Sequence, residues 1–512
     1  MPSLATNFIK QRKDLNMSTS TPPQQPDVAR SVADHTYDVI VLGAGPVGQN
    51  IAARTRAAGL TVAVVERELV GGECSYWGCV PSKALLRPVI AVADSRRVDG
   101  AREAVSGPVS AQGVFGRRDR YVTLWDDTGQ ANAVKEMGAE LIRGQARLDG
   151  PRRVAVATAD DDLIVLTARH AVAICTGSTA ALPDIPGIAE AQPWTNRKAT
   201  DSSEVPARLA IVGAGGVGVE MATAWQGLGA HVTLLARGKG LLPQMEPFVG
   251  ELVASGLSEA GVDVRTGVTV TELRRSGRTV TVVLDEEDEL EVDEILFATG
   301  RTPNTADIGL HTVGLTPGRW LAVDDNCRVT GAHNDWLYAL GDVNHRALLT
   351  HQGKYQARIA GAAIAATAVD KPLDRTTWSP HMATADIHAV PQVFFTDPEA
   401  AAVGLTAGQA ERAGYRIRVV DIDIGASVPG ANFYADGYTG RARLVVDLDE
   451  GRLLGATFVG PGVAELLHSA TIAVAARVPL DRLWHAVPCF PTISEVWLRL
   501  MEANRDMQET IN

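Results

Sequence analysis

Long apolar runs are missing from this sequence. No stretch approaches the roughly 18–20 consecutive apolar residues that a membrane-spanning helix needs, so no membrane partner is expected. Cysteine is scarce as well, with five residues, at 74, 79, 175, 327 and 489, in a chain of 512. So few thiols, odd in number, exclude a secreted disulfide scaffold. They point to a reducing, cytoplasmic compartment, where a close thiol pair is catalytic rather than structural. Basic residues are outnumbered: 48 Lys and Arg against 60 Asp and Glu leave a net charge of −12. That balance argues against nucleic acid and against an anionic membrane surface as partners. Residues 1–36 lack the apolar core of a secretory signal and read as a disordered polar tail, with Met17 as an alternative start.

The chain is long enough for about three domains, each with its own core. Its centre is residues 71–83, Gly-Gly-Glu-Cys-Ser-Tyr-Trp-Gly-Cys-Val-Pro-Ser-Lys. Cys74 and Cys79 stand five positions apart, with Gly71, Gly72 and Gly78 around them. One helical turn with a glycine hinge can bring their Cα atoms within the roughly 7 Å that a disulfide allows. A thiol at a helix N-terminus has its thiolate favoured, so such a pair can cycle between dithiol and disulfide. The alternative is two buried structural cysteines.

The surroundings favour redox chemistry. Residues 38–42 read as a buried strand, followed by Gly43-Ala44-Gly45-Pro46-Val47-Gly48, a helix to about residue 58, and a strand ending on Glu66. This is the strand–glycine turn–helix–strand–acid unit of a dinucleotide site. Its glycines permit a tight turn and close approach of a pyrophosphate at the helix N-terminus, and Glu66 can bind ribose hydroxyls. Residues 209–212, Gly213-Ala214-Gly215-Gly216-Val217-Gly218, a helix and residues 231–235 repeat the unit. Farther on, alternation over residues 442–446 and 453–459 predicts an antiparallel sheet, with helices at about 463–476 and 494–504 closing the chain.

On Cys74, Gly78, Cys79, Pro81, Ser82 and Lys83 the sequence resembles the class I flavoprotein disulfide reductases, the family of lipoamide dehydrogenase, glutathione reductase and mercuric reductase. Tyr76 and Trp77 depart from the pattern, which usually carries Asn between the cysteines. The resemblance implies an α/β chain with two Rossmann-type dinucleotide-binding domains, for FAD and NAD(P), plus a C-terminal α+β dimerisation domain. The expected boundaries are 37–184 with 298–375 for FAD, 185–297 for NAD(P), and 385–512 for a homodimer interface. It also implies roles. Cys79 would face the flavin and form a charge-transfer thiolate, while Cys74 attacks substrate. Glu220 would pair with Lys83 and steady negative charge on reduced flavin. Gly72, Thr176, Gly177 and Gly300 would border the cofactor, and Asp342 would bind the FAD ribityl chain.

The two glycine units can be compared with each other. Glu66 follows Gly43 by 23 positions, 66 − 43, and the same offset from Gly213 reaches Ala236, 213 + 23. The ribose acid is therefore absent from the second site, and Arg237 and Lys239 follow. Loss of a carboxylate plus gain of cations favours NADP over NAD, the alternative being a plain solvated loop. Position 216 carries a bulky gate in many relatives, so Gly216 suggests a more open nicotinamide pocket.

The largest departure is near the C-terminus. Relatives that reduce small disulfides end in His-Pro-Thr-x-Ser-Glu, the histidine serving as acid–base partner and the glutamate orienting it. Here the segment is Phe490-Pro491-Thr492-Ile493-Ser494-Glu495, with His485 and Cys489 nearby. Phenylalanine moves no proton. Two acceptors stay open: a disulfide that needs no base, reached through the thiols, or a quinone-like acceptor reduced directly from flavin. A catalytically retired member is disfavoured by the intact Cys74, Cys79, Lys83 and Glu220. Mercuric reductase proper is disfavoured by the lack of further paired cysteines. Lipoamide dehydrogenase proper is disfavoured by Phe490 and Ala236.

Overall fold

Val39, Ile40, Val41 and Leu42 are almost without exposure and form the inner half of the first strand, β1 (Asp34–Leu42). A run apolar on both faces is what a central parallel strand requires. The computed structural model describes residues 34–160, 162–285, 288–333 and 335–509. The expected tail therefore lies outside the described residues up to position 33, as does Met17. Asp34 to Thr36 already pair with Val165 to Thr167 in β1's neighbouring strand.

Helix α1 (Pro46–Ala57) starts with proline in its first turn, where no N–H is needed, and delivers the chain to β2 (Val62–Glu66). β1 lies between β2 and the long strand β3 (Leu163–Ile174), parallel to both. Glu140–Arg143 extends this sheet beyond β2, and Arg153–Ala157 with Gln145–Leu148 extends it beyond β3. Residues 99–150 supply two of these strands and the helices Ala111–Tyr121 and Thr128–Glu136.

The second glycine unit repeats the arrangement with β4 (Arg208–Val212), α4 (Gly216–Gly227) and β5 (His231–Ala236), in a four-stranded parallel sheet. After it, Leu337–Ala339 returns to the first sheet and pairs in parallel with β3. The C-terminal part is a five-stranded antiparallel sheet with β6 (Pro391–Phe394) at its edge, next to β7 (Ala400–Gly404). Helices Leu467–Ala475 and Val496–Glu509 share its core. The predicted hairpin is there as Arg441–Asp447 paired with Arg452–Val459. Two dinucleotide-type α/β units followed by an α+β unit are the expected fold.

Packing between units places the site. The short helix α2 (Gly72–Tyr76) leads into α3 (Cys79–Arg96). Leu85, Leu86 and Ile90 of α3 share a core with Val219, Ala222 and Trp225 of α4. Each such fully buried side chain contributes roughly 1.5–3 kcal/mol. Gly227 of α4 backs so closely onto Val89 that a Cβ there would stand 2.2 Å from its Cγ1. The two helices are thereby locked with Lys83 facing Glu220. A third helix, α5 (Thr350–Ala368), is anchored by Gln352 and Gln356, whose amides each donate to the buried Asp386 carboxylate at 2.9 Å.

Candidate active site

The thiol pair is shaped by a break between two helices. α2 ends at Tyr76, and Cys79 opens α3. A Cβ on Gly78 would sit 3.2 Å from Cys74 Cα, a tight contact that glycine relieves where the chain folds the two cysteines together. Gly72, at φ +55°, lies against the first glycine turn, its missing Cβ 3.0 Å from Gly45 Cα. Tyr76 is buried, its hydroxyl donating to the Val70 carbonyl at 3.3 Å and accepting from Gln130 at 3.2 Å. Trp77 carries the Arg197 guanidinium 4.1 Å from its ring centroid, and Arg197 in turn pairs with Glu68 and Glu73. The two residues that replace the usual Asn thus brace the loop from opposite sides.

Cys74 and Cys79 are free thiols facing a cleft of about 900 Å³. Cys79 is accessible from this cleft. Its pKa is held down at about 6, first by the hydrogen bond from Cys74, then by the Thr350 hydroxyl and the Lys83 charge, against the opposing effect of desolvation. The Cys79 Sγ–Thr350 Oγ1 separation is 3.3 Å. Cys74 is pushed far up, first by donating to Cys79 and then by burial. One sulfur is therefore a thiolate near neutral pH, and its neighbour keeps the proton. The site for the thiolate is a helix N-terminus, as the sequence suggested.

Lys83 Nζ meets Glu220 Oε2 at 2.7 Å, with the Glu220 side chain 9% exposed and that of Lys83 37%. Glu220 Oε1 accepts the Phe395 N–H at 3.1 Å, and Lys83 stands 5.0 Å above the Phe395 ring. The expected pair is thus held from a third direction by Phe395, in a segment that resembles the opening of the family's dimerisation domain and for which no role at this pair was expected.

The rest of the cleft suits a dinucleotide. Within the first turn, Gly43 and Gly48 are demanded by the protein itself: Cβ atoms there would fall 2.5 Å from the Cys175 oxygen and 1.9 Å from the Gly43 oxygen. Gly45 has no protein atom within 4 Å of its missing Cβ. The bare Cα faces open space, the room a pyrophosphate needs. Glu66 closes the turn by accepting the Ala44 and Glu68 N–H groups at 2.7 and 2.8 Å. A carboxylate has about four acceptor sites, so capacity remains for ribose hydroxyls. Thr176 lines the same cleft, and its hydroxyl is buried without a hydrogen-bond partner among the described residues. Gly177 and Asp342 line it too. Asp342 Oδ2 accepts from Ser178 Oγ at 2.6 Å, and Arg301 grips Ser178 through both its hydroxyl and its carbonyl. Ser178 and Arg301 were not foreseen, and Gly300 stands beside this group rather than in the lining. An orphan hydroxyl, an open glycine cradle and a spare acid fit FAD.

The second turn repeats the pattern: Gly213 and Gly218 are sterically required, while Gly215 faces open space. Arg237 and Lys239 are exposed on the loop after β5, and neither forms an ion pair among the described residues. Gly216, Val217 and Glu220 reach the shared cleft. Gly216 does not leave the pocket open, as its missing side chain suggested: Phe394 of β6 fills that room, with Cε1 2.7 Å from the position of a Cβ.

Glu495 is brought to neither turn nor thiols. It is buried in the C-terminal unit, and its Oε2 has no hydrogen-bond partner among the described residues. Phe490 is 73% exposed and Val487 86%. His485 and Cys489 are also exposed, and none of these four lines the cleft.

Comparison with known proteins agrees with this architecture. Residues 37–366 match the family described as pyridine nucleotide-disulphide oxidoreductase, and residues 390–501 match its dimerisation domain. Among curated proteins, the mercuric reductase of Staphylococcus aureus is 30% identical over 90% of this chain and 81% of its own length. Dihydrolipoyl dehydrogenase 3 of Pseudomonas aeruginosa is 32% identical over 89% and 95%. Among solved structures, the Cu(II) complex of the HOCl-induced flavoprotein disulfide reductase RclA from Escherichia coli superposes with a TM-score of 0.78 over 91% of this chain and 99% of that one. At 24% identity it is a likeness of fold.

Proposed function

This chain belongs to the pyridine nucleotide-disulphide oxidoreductase family, and on that footing we propose that it is an NAD(P)H-dependent flavoprotein that delivers electrons through Cys74 and Cys79 to a small disulfide. The observation that carries this reading is the Cys79 thiolate, with a pKa of about 6, in the cleft that both glycine turns reach. A thiol pair kept only for structure would have no use for a cation, a hydroxyl and a helix terminus trained on one sulfur.

Gly43, Gly45 and Gly48 with Glu66 would hold the adenosine end of FAD, and Asp342, Thr176 and Gly177 its middle. Bound FAD would relay reducing equivalents between the nicotinamide and the sulfurs. Lys83, fixed by Glu220, supplies positive charge where negative charge develops on reduction. Cys74 is the outer nucleophile. Once deprotonated it attacks one sulfur of the substrate disulfide, a mixed disulfide forms, and the first substrate thiolate leaves. Cys79 then attacks Cys74, closing the protein disulfide and releasing the second thiolate. With no histidine at position 490 to protonate these leaving groups, the substrate of choice is a disulfide whose thiols are acidic.

For the nicotinamide cofactor, Ala236 with free cations at Arg237 and Lys239 supports NADPH. Exposed Phe433, Val487 and Phe490 in the C-terminal unit support a homodimer built on that unit. Direct reduction of a quinone-like acceptor loses one of its supports, because Phe394 occupies the opening at Gly216. Cys74→Ser separates the two: it should abolish disulfide reduction. A variant that keeps wild-type turnover of disulfides would end the thiol reading.

A further inference from the structure

Gly216 differs from its neighbours in why it must be glycine. Gly213 has φ +136° and is crowded by the Ala298 carbonyl, and Gly218 abuts the Gly213 oxygen, so the turn itself demands both. Gly216 is the first residue of α4 and has an ordinary helical backbone. The matching position of the first turn carries Pro46, so the motif tolerates a side chain there. What crowds Gly216 is a single side chain, the ring of Phe394, whose Cε1 and Cδ1 stand 2.7 and 2.8 Å from a Cβ position.

The segment that carries this ring is pinned at both ends. The Pro391 carbonyl accepts from His351 Nε2 at 2.8 Å, at the start of α5. The Phe395 N–H binds Glu220 at 3.1 Å. Between these ties the backbone is fixed by pairing with β7, Phe394 opposite Ala400. The ring itself is half-buried on the cleft wall with Gly216, Val217, Lys83 and Cys79. A dinucleotide seated on Gly215 has to pass this ring to reach Lys83 and Glu220.

We propose that Phe394 is the gate of the nicotinamide arm of the cleft, a positioning residue supplied by the C-terminal unit in place of a side chain at 216. With the backbone held, the ring opens by rotating about its own side-chain bonds. Closed, it covers the Lys83–Glu220 end of the cleft; open, it admits the nicotinamide ring. This rests on the FAD and NAD(P)H reading of the cleft.

The test uses holoenzyme and four variants: Phe394→Ala, the conservative Phe394→Leu, Gly216→Val, and the double variant Gly216→Val with Phe394→Ala. Two quantities are read, iodide quenching of flavin fluorescence and the dissociation constant of NADP+. Phe394→Ala should raise flavin quenching several-fold and tighten NADP+, because the cost of opening is removed. Phe394→Leu should stay near wild type. Gly216→Val should weaken NADP+ about tenfold by overpacking, and the double variant should recover most of that loss. Quenching and affinity unchanged in Phe394→Ala would overturn the proposal, as would strictly additive effects in the double variant. Should wild-type protein bind neither FAD nor NADP+, the reading of the cleft itself falls, and the gate with it.

Discussion

Glu66 and Ala236 occupy the same place in two copies of one architecture. In the first sheet Leu42 pairs with Val65, in the second Val212 pairs with Leu235, and the residue after each partner is Glu66 or Ala236. A carboxylate stands at this position beside one glycine turn, and a methyl group stands at it beside the other. Backbone register, not only residue counting, makes them equivalent.

Cofactor choice follows from this pair. Arg237→Ala should raise KM for NADPH and leave KM for NADH nearly unchanged. A charged hydrogen bond to a phosphate is worth about 1.5–3 kcal/mol, or roughly ten- to a hundredfold. Ala236→Glu should reverse the preference by repelling a 2′-phosphate. Steady-state kinetics with both cofactors decide it, and equal loss for NADH and NADPH in Arg237→Ala would count against the assignment.

The thiolate predicts a pH profile. In the reduced protein, alkylation of Cys79 should rise with pH around a midpoint of about 6. Lys83→Met and Thr350→Val should each move that midpoint upward. The folded value lies below the ordinary 9.0, so between these limits the unfolded chain binds the extra proton and stability of the reduced form increases with pH. That contribution is complete above 9 and vanishes as pH falls through 6. Mass-spectrometric mapping of iodoacetamide adducts reads the midpoint directly, and a value near 9 would contradict the site geometry.

Glu220 does two separable things. Glu220→Gln keeps an oxygen for the Phe395 N–H and deletes only the charge facing Lys83. Because Lys83 is partly exposed, that loss should cost about 1 kcal/mol of stability, as for other solvent-screened pairs. Glu220→Ala also strands the Phe395 N–H and should cost about 1–3 kcal/mol more. Urea unfolding of the three proteins would show the order, and equal losses would mean that the backbone contact contributes nothing.

Residue 490 lies away from the cleft of its own chain, so Phe490→His should act across the proposed homodimer, restoring a proton donor to the thiols of the other copy. Since a positioned acid–base group is worth about 10²–10⁴ in rate, disulfide turnover should climb at least tenfold and acquire a second titration in its pH profile. Glu495, buried with an unpartnered oxygen, would then find the base it otherwise lacks. Glu495→Gln in the native background should leave disulfide turnover unchanged. No gain in Phe490→His would show that the acceptor does not depend on this segment.

The parts of the site that were legible in the sequence are those written locally. Glycine turns, the Cys74–Cys79 spacing and the Glu66 offset each lie within one supersecondary unit, where backbone sterics fix the outcome. Thr350, Ser178 with Arg301, and Phe394 were not legible, because each meets the site only through packing of distant segments. Gly216 shows the limit most plainly. A missing side chain reads as empty space along the chain, yet in three dimensions a phenylalanine from another unit takes it. Residues 99–150 were not legible for a different reason: their helices and strands are short and only weakly patterned.

Helix α5 touches the thiolate through Thr350 at its start, and within its first two turns Gln352 and Gln356 are clamped to the buried Asp386. Both glutamines lie within the first stretch that matches the family, residues 37–366, whereas Asp386 lies beyond it. A shortened protein ending before Asp386 would leave the amide donors of both glutamines without their acceptor and would loosen the rod that aims a hydroxyl at sulfur. Its loss would therefore be felt as sluggish sulfur chemistry even where the coloured cofactor stayed bound, so colour alone would be a poor certificate of an intact enzyme.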